Sequence, residues 1–286
     1  MAIVINTNVA SLNAQRNLSN TQSGLNRALE RLSSGFRINR AADDAAGLAI
    51  SERLKAQIRS TSQAARNTLE GVSLVQVSEG GYDEVSGILI RLRELAVQSA
   101  NGTISANDRS AIDVERDQLT QEISRIAAVV KFNNVQVLNG NSVGAALSFT
   151  LQVGIGTTTS DTITVNISAL RASALQSGTS TLDLTAASLT SASGSVAAIA
   201  TFDAAIDSVN RSRAELGAVQ NRLEATSRSL AITVENLSAA NSRIRDVDIA
   251  QETAELARFQ ILSQAGAAVT AQANQVPALA LSLIGR

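Results

Sequence analysis

The chain has 286 residues, 44% of them hydrophobic and only 2% aromatic, and its formal net charge is −1. Without cysteine it cannot form disulfides or cysteine metal sites, and without histidine it lacks the commonest general base. The near-zero net charge gives no basic surface for nucleic acid. A single proline among abundant Ala, Leu, Gln, Arg and Glu favours long, uninterrupted helices.

The first predicted helix covers residues 6 to 36. Its leucines recur every seven residues, as in a coiled coil, at Leu18, Leu25 and Leu32. Gly35 supplies a stop signal, because glycine suits the residue that follows a helix. The sequence therefore predicts an amphipathic helix that ends before residue 37.

A charged linker follows this helix and contains Arg37, Arg40, Asp43 and Asp44. Adjacent aspartates suit the positive end of the next helix dipole. A metal-binding carboxylate pair is the alternative, but no nearby residues complete a ligand set. We interpret the two aspartates as a helix start.

Helical periodicity resumes at about residue 42 and continues to Asn101-Gly102, where the element should end. Gly80-Gly81 lies in its middle and predicts a kink or a break. Ser105 and Asp108 have the spacing of a capping box for a further helix, which extends to residue 130.

Residues 131 to 195 have a different character. Apolar and polar residues alternate around a Gly/Thr/Ser turn, which predicts a β-hairpin. Its inward-facing residues are Phe149, Leu151 and Val153, then Ile163, Val165 and Ile167. Gly154 and Gly156 are read as turn glycines, because the lysine and βαβ context of a phosphate loop are missing. The segment from 177 to 195 is predicted to be loop with at most a helical turn.

The most regular repeat of the chain lies in residues 202 to 248. Apolar residues occupy every seventh position: Phe202, Val209, Leu216, Leu223, Leu230, Leu237 and Ile244. Such a helix cannot bury its face alone. We expect it to pack on the helices of residues 42 to 130 and to supply their core.

Both ends of the chain are apolar and nearly free of charge, most clearly from Phe259 to Gly285. A membrane span would need about 20 apolar residues, but the glutamines, the asparagine and Pro277 in this stretch would be costly in hydrocarbon. Pairing of the two ends as a helical hairpin is a second interpretation. It leaves much apolar surface exposed, which points to association into a polymer.

Five stretches resemble bacterial flagellin, in the order and at the ends expected for that family. They are MAIVINTNVASLNAQRNL at the start, ALERLSSGFRINRAADDAAGLAISERL at 28–54, RLRELAVQSANGT at 91–103, KFNNVQVLNG at 131–140 and SAANSRIRDVDIAQETAELARFQILSQAGAAVTAQANQVPALALSLI at 238–284. The resemblance implies a mainly α fold with long coiled-coil helices. Residues 1–41 and 248–286 would pair as an inner domain, and residues 42–247 would form a helical rod with the β-hairpin insertion at 131–195. The short middle segment implies a minimal flagellin without large outer domains.

The same resemblance implies a non-enzymatic, secreted filament subunit without cofactors. It would leave the cell as an unfolded chain by type III export and assemble outside it into a hollow helical propeller. Its partners would be further copies of itself, an export chaperone, the filament cap and the hook-junction proteins, with neither nucleic acid binding nor membrane insertion. The residues expected to carry polymerisation are Ile5, Val9, Leu12, Leu18, Leu25, Ile261, Leu262, Val269, Val276, Leu279 and Leu283.

Recognition by a host Toll-like receptor that senses flagellin is a further implication of the resemblance. Arg91, Leu95 and Glu115 match the family's receptor-contacting patch, although Ile90 departs from its pattern. The alternative is that Leu95 belongs to the core and both charges are simply solvated.

Three other functions stay open at this point. A hook–filament junction protein would share flagellin-like ends but be incorporated in few copies. An enzyme using Asp43 and Asp44 would lack histidine, cysteine and a recognisable nucleophile setting. A cytoplasmic coiled-coil scaffold would remain inside the cell.

Overall fold

The computed structural model describes residues 7–140, 146–173, 175–177 and 180–284. In these residues the helices are α1 (Val9–Ser34), α2 (Ala45–Ala100), α3 (Ala106–Val129), α4 (Ala192–Arg245) and α5 (Ile249–Ile284). Three antiparallel strand pairs lie between α3 and α4. They are β1 (Lys131–Phe132) with β2 (Val135–Gln136), β3 (Leu147–Gln152) with β4 (Thr162–Ile167), and β5 (Leu175–Ser177) with β6 (Ser180–Leu182). The mainly α prediction with a small β insertion is confirmed.

Two helix ends form where the local signals predict them, and a third does not. Gly35 ends α1 in the left-handed conformation, at φ 74°, and its N–H donates to the Arg31 carbonyl. Ser105 and Asp108 form the predicted capping box at the start of α3. The start of α1 lies at Val9, later than predicted, because the side chain of Asn8 accepts a hydrogen bond from the Ser11 N–H and caps the helix there.

The break predicted as one alternative at Gly80-Gly81 is wrong, since α2 continues through both glycines. Gly81 is buried, and a Cβ placed on it would lie 2.2 Å from the Leu138 side chain. A Cβ placed on Gly71 would be equally close to the side chain of Leu151 in β3. The two glycines therefore let Leu138 and Leu151 pack directly on the backbone of α2. This packing stabilises the helix, which the low helix propensity of glycine would otherwise weaken.

The region after α3 contains more strand than predicted. The hairpin of β3 and β4 is confirmed, with Phe149 opposite Val165 and Leu151 opposite Ile163. The segment expected to be loop contains β6 and a 3-10 turn at Leu184–Ala186, and α4 begins at Ala192. Such short strands carry no readable alternation, which is why the sequence pattern misses them.

The chain forms two compact units: Met1–Ile58 with Glu235–Arg286, and Arg59–Val234. The second unit holds the main hydrophobic core. Its largest fully buried side chains include Tyr82, Leu89, Leu92, Ile123 and Phe202. The Tyr82 hydroxyl donates to the Ser168 carbonyl at 2.7 Å, so its one polar group is satisfied inside the core.

Helix α4 supplies this core as its seven-residue repeat predicts, but burial is graded along it. Phe202, Val209, Leu216 and Leu223 are buried, with exposure of at most 1%. Leu230, Leu237 and Ile244 are only half-buried. Exposed charges also connect the helices of the second unit, with Arg91 on Glu115, Arg93 on Asp203 and Arg213 on Asp83.

Candidate assembly surface

In the first unit, backbone hydrogen bonds between two connecting segments bring α1 and α5 together. The segment after α1 and the segment between α4 and α5 pair through an isolated bridge of Phe36 with Asp246. The Arg37 N–H donates to the Arg245 carbonyl at 2.7 Å, and the Val247 N–H donates to the Gly35 carbonyl at 3.0 Å. These bonds fix α1 and α5 side by side at their base.

Arg245 is central to this base. Its guanidinium lies 4.6 Å from the centre of the Phe36 ring and 2.7 Å from the Glu52 carboxylate. The Ser51 hydroxyl contacts the Asn241 side chain at 2.8 Å nearby. The base is therefore held by directional contacts. They are the stacking of Arg245 on Phe36, its ion pair with Glu52, and the two backbone hydrogen bonds to carbonyl groups.

The linker charges order the linker locally. Asp43 accepts hydrogen bonds from the N–H groups of Asn39 and Arg40, and the Arg40 bond is the main reason that its pKa lies below the ordinary value. Asp44 precedes α2 and accepts from the Gly47 N–H at 2.9 Å, as a helix-start aspartate should. The Arg40 side chain pairs with Glu30, and the Arg37 side chain donates to the Ile244 carbonyl.

Helices α1 and α5 run antiparallel along a single seam. Contacts from base to tip join Arg31 to Glu252, Gly24 to Phe259, Leu18 to Gly266 and Ser11 to Asn274. Most of the less exposed residues of each helix are spaced alternately by three and four, the pattern of a coiled-coil seam. They are Ser11, Ala14, Leu18, Thr21, Leu25, Ala28 and Leu32 in α1, and Glu252, Leu256, Phe259, Ser263, Gly266, Thr270 and Ala273 in α5; Gly24, Glu30, Arg31 and Glu255 flank these positions.

The seam combines small and polar residues with five large apolar ones, Leu18, Leu25, Leu32, Leu256 and Phe259. Other large apolar side chains face away from it. Those away from the base are 42% to 70% exposed, namely Val9, Leu12, Ile261, Leu262 and Val269, and nearer the base Leu29 and Ile249 are exposed as well. A solvated helical hairpin usually keeps its large apolar residues inside. The outer face of the hairpin is therefore a surface that lacks a partner within the described part of this chain.

The residues predicted for polymerisation fall into two groups. Val9, Leu12, Ile261, Leu262 and Val269 lie on the outer face, while Leu18 and Leu25 lie in the seam between α1 and α5. Ile5 is outside the described residues. Val276, Leu279 and Leu283 belong to α5, whose backbone is described there without its side chains.

The small seam residues are missed by a search for leucine repeats. Gly24, Ala28 and Gly266 do not stand out in a hydrophobic pattern, although Gly24 and Gly266 contact side chains of the opposite helix and Ala28 is buried. The same three-four spacing applied to Gly, Ala, Ser and Thr would find Ala28 and Gly266, whereas Gly24 lies one position before Leu25.

The three residues matched to a receptor patch are not equally accessible. Arg91 and Glu115 are half-exposed and joined by hydrogen bonds of 2.9 and 3.0 Å, and Arg91 also contacts Glu94. Leu95 is buried in the core, with 1% exposure. Ile90, which directly precedes Arg91 on α2, is 49% exposed.

None of the described helices is apolar enough over a sufficient length to cross a bilayer.

Comparison with known proteins identifies the family. The bacterial flagellin N-terminal helical region matches residues 5–143, and the bacterial flagellin C-terminal helical region matches residues 199–284. These regions contain α1 with α2 and α3 on one side, and most of α4 with α5 on the other. They therefore include both helices of the hairpin described above.

The chain is 44% identical to a flagellin of Halalkalibacterium halodurans, over 99% of this chain and 100% of that one. It is 43% identical to the flagellar filament 33 kDa core protein of Treponema phagedenis over the same shares. A solved flagellar hook-associated protein from Vibrio parahaemolyticus has a similar fold, with a TM-score of 0.58, 15% identity, and coverage of 71% of this chain and 100% of that chain. With both terminal regions matched and relatives similar from end to end, the chain belongs to the bacterial flagellin family.

Proposed function

We propose that this protein is the structural subunit of an extracellular flagellar filament and polymerises through the outer face of its α1–α5 hairpin. The observation that carries the proposal is the outer face of the hairpin, where large apolar side chains stay exposed in the single chain although others are packed in the seam. Relatives named as flagellin and flagellar filament core protein support the same function. The role is mechanical, in keeping with a family of structural proteins.

The driving force is burial of apolar surface. Fully burying an exposed Val, Leu or Ile side chain is worth about 1.5–3 kcal/mol. Five such side chains on the outer face of each subunit can therefore outweigh the entropy of ordering when neighbouring copies cover them. A contact that repeats without closing gives a helical filament.

The domain division follows from this proposal. Residues 1–41 and 248–286 form the inner domain that lines a hollow filament, and residues 42–247 form the helical rod domain. The backbone hydrogen bond between Gly35 and Val247 supports a boundary near these positions, because both chain connections pass there. Secretion by type III export precedes assembly.

Truncation tests the proposal most directly. Deleting residues 260–286 removes the outer apolar side chains of α5 and should leave a folded second unit that no longer polymerises. Seeded growth of filaments by electron microscopy is the measurement, with circular dichroism to verify the helical fold. Filaments that persist after this deletion would contradict the proposal.

A point variant makes the test sharper. Val269→Glu places a charge on the outer face at a position that is 58% exposed in the subunit, so the monomer should fold normally while elongation is lost. Gln251→Glu is the matched control, since it adds the same charge to an exposed position of the same helix near the base. Equal elongation by both variants would rule out the outer face.

Growth of long filaments from seeds also separates this function from that of a hook–filament junction protein, which enters the structure in few copies. A flagellar export chaperone, the filament cap and the hook-junction proteins are the further partners that we propose. A chaperone would have to cover the apolar face of α5 before export.

Contact with a host Toll-like receptor is a second proposal, favoured by the exposed Arg91–Glu115 pair. Because Leu95 is buried, we propose that it supports the receptor-contacting surface from within the core and does not itself touch the receptor. Arg91→Ala should weaken signalling in a reporter-cell assay. Arg125→Ala is the control, since Arg125 makes a similar exposed pair with Glu122 on α3. Equal signalling by the two variants would refute the assignment.

A further inference from the structure

We infer that, beyond the hydrogen-bonded base, the register of the α1–α5 hairpin is set by three features: the Ala273 carbonyl that Pro277 leaves without a helical donor, and two glycine notches that face in opposite directions. The inference rests on the proposed function and concerns which residues make assembly specific. A seam with three-four spacing offers similar contacts after a slide of seven residues, about 10 Å along the helix axis. Small seam residues alone would resist such a slide weakly.

The first feature joins the start of α1 to the last part of α5. Proline has no N–H, so Pro277 cannot donate to the carbonyl of Ala273, four residues earlier. That carbonyl accepts the Asn8 side-chain N–H at 2.8 Å. The oxygen of the same Asn8 amide caps α1 through the Ser11 N–H. A single side chain therefore ties the first turn of α1 to the one position of α5 that proline leaves unpaired.

The second feature is a notch in α1. A Cβ on Gly24 would lie 2.6 Å from two ring atoms of Phe259, so the ring rests directly on the glycine. A slide by seven residues in either direction would bring Phe259 to Asn17 or to Arg31. Neither position has room for the ring without displacement of its side chain.

The third feature is the reverse arrangement, with the notch in α5. A Cβ on Gly266 would lie 3.2 Å from the Leu18 side chain. In a shifted hairpin Gly266 would face Ser11 or Leu25, and Leu18 would lose its recess. Because one notch lies on each helix, neither helix can slide while keeping both contacts.

The consequence concerns every subunit of the polymer. A slide of one heptad would shift Val9 and Leu12 of α1 by about 10 Å relative to Ile261 and Val269 of α5. The spacing of apolar side chains on the outer face would then differ from that of the neighbouring subunits. We therefore assign Asn8, Gly24, Gly266 and Pro277 as residues that determine the specificity of assembly, although none of them is one of the large apolar residues of the outer face.

Paired cysteines can report the register, because the natural chain contains none. Ser11→Cys with Asn274→Cys reports the observed register, in which the two side chains are 2.6 Å apart. Ser11→Cys with Ala267→Cys reports a hairpin shifted by one heptad. In the otherwise unchanged full-length chain, the first pair should form its disulfide in a glutathione buffer at least tenfold faster than the second.

Replacing the three features should abolish this preference. In a chain with Gly24→Ala, Gly266→Ala and Pro277→Ala, the ratio of the two disulfide rates should fall to near one, even though each substitution raises intrinsic helix propensity. Gly217→Ala is the control, since that helical glycine has open space around it. A ratio that stays above tenfold in the triple variant would overturn the inference.

Filament growth provides a second readout. Gly24→Ala should lose elongation from wild-type seeds, and adding Phe259→Leu, which removes the crowding ring atoms, should restore it in part. No loss with Gly24→Ala, or no recovery in the double variant, would count against the notch. If wild-type protein and Gly217→Ala themselves fail to elongate, the proposed function fails, while the disulfide ratio still tests the register.

Discussion

At the scale of single residues, α3 contains a buried charge, Arg116, whose loss should be costly. Arg116 is 6% exposed and contacts Asp113 and Asp117 at 3.0 Å and the Thr185 carbonyl at 3.3 Å. Asp113 also accepts the Leu189 N–H at 2.8 Å. This cluster fixes the segment before α4 against α3.

Arg116→Met should therefore lower the free energy of unfolding by about 3 kcal/mol, because it leaves Asp113 partly buried without its cation. Arg125→Met removes an exposed ion pair of the same helix and should change it by less than about 1 kcal/mol. Urea unfolding followed by circular dichroism measures both. Similar losses for the two variants would refute the distinction between buried and exposed pairs.

Tyr82 predicts a specific dependence on alkaline pH. Desolvation raises the pKa of its buried phenol from 10.0 to about 12, partly countered by hydrogen bonds to Ser212 and Ser168. The folded chain thus holds the proton more tightly than the unfolded chain. The stabilisation is complete below pH 10 and is lost as pH rises from about 10 to about 12.

Urea midpoints across this range should fall more steeply for the natural protein than for Tyr82→Phe, which has no phenol to ionise. The phenylalanine variant carries the same lysines and arginines, so it corrects for their titration. Parallel pH profiles would mean that Tyr82 ionises equally easily in both states.

At the scale of elements, the seven-residue repeat of α4 is regular along the whole helix, but the burial of the repeated apolar side chains decreases towards its C-terminal end. Leu223 is fully buried, whereas Leu237 is half-buried at the same heptad position. Leu223→Ala should cost about 3 kcal/mol of stability through a cavity in the core. Leu237→Ala should cost about 1 kcal/mol, because folding removes less apolar area of Leu237 than of Leu223 from contact with water. Equal shifts of the urea midpoint would contradict graded burial.

Much of this architecture is visible in the sequence, for identifiable reasons. The leucine repeat of α4, the capping box at Ser105 and the alternation of β3 and β4 are local patterns with one physical interpretation each. Gly80-Gly81 misleads because the packing of Leu138 on Gly81 is a contact between distant residues. The candidate assembly surface is half-visible: lack of charge marks the ends, but the Gly24 and Gly266 notches depend on an interhelical register that no local pattern contains.

At the scale of the whole molecule, stability is concentrated in the unit Arg59–Val234. Nearly all of the fully buried large side chains belong to it, and few such residues, Ile38 among them, belong to the unit that contains α1 and α5. Amide hydrogen exchange of the monomer should therefore be fastest in α1 and α5 and slowest in the α2 segment around Leu89.

Assembly should reverse this order at the termini. If neighbouring subunits cover the outer face, amides of α1 and α5 should become at least a hundredfold more protected in filaments than in the monomer. Amides around Leu89 should change little. Unchanged exchange in α5 after polymerisation would show that the hairpin takes no part in the contacts.

The position of Tyr82 has an optical consequence. The chain has one tyrosine and no tryptophan, so its near-ultraviolet absorption and emission above the weak phenylalanine bands come from this side chain. Tyr82 belongs to the core of one unit and hydrogen-bonds to a backbone carbonyl there. Tyrosine fluorescence will therefore change when that core melts and will not change when the terminal helices of neighbouring copies associate.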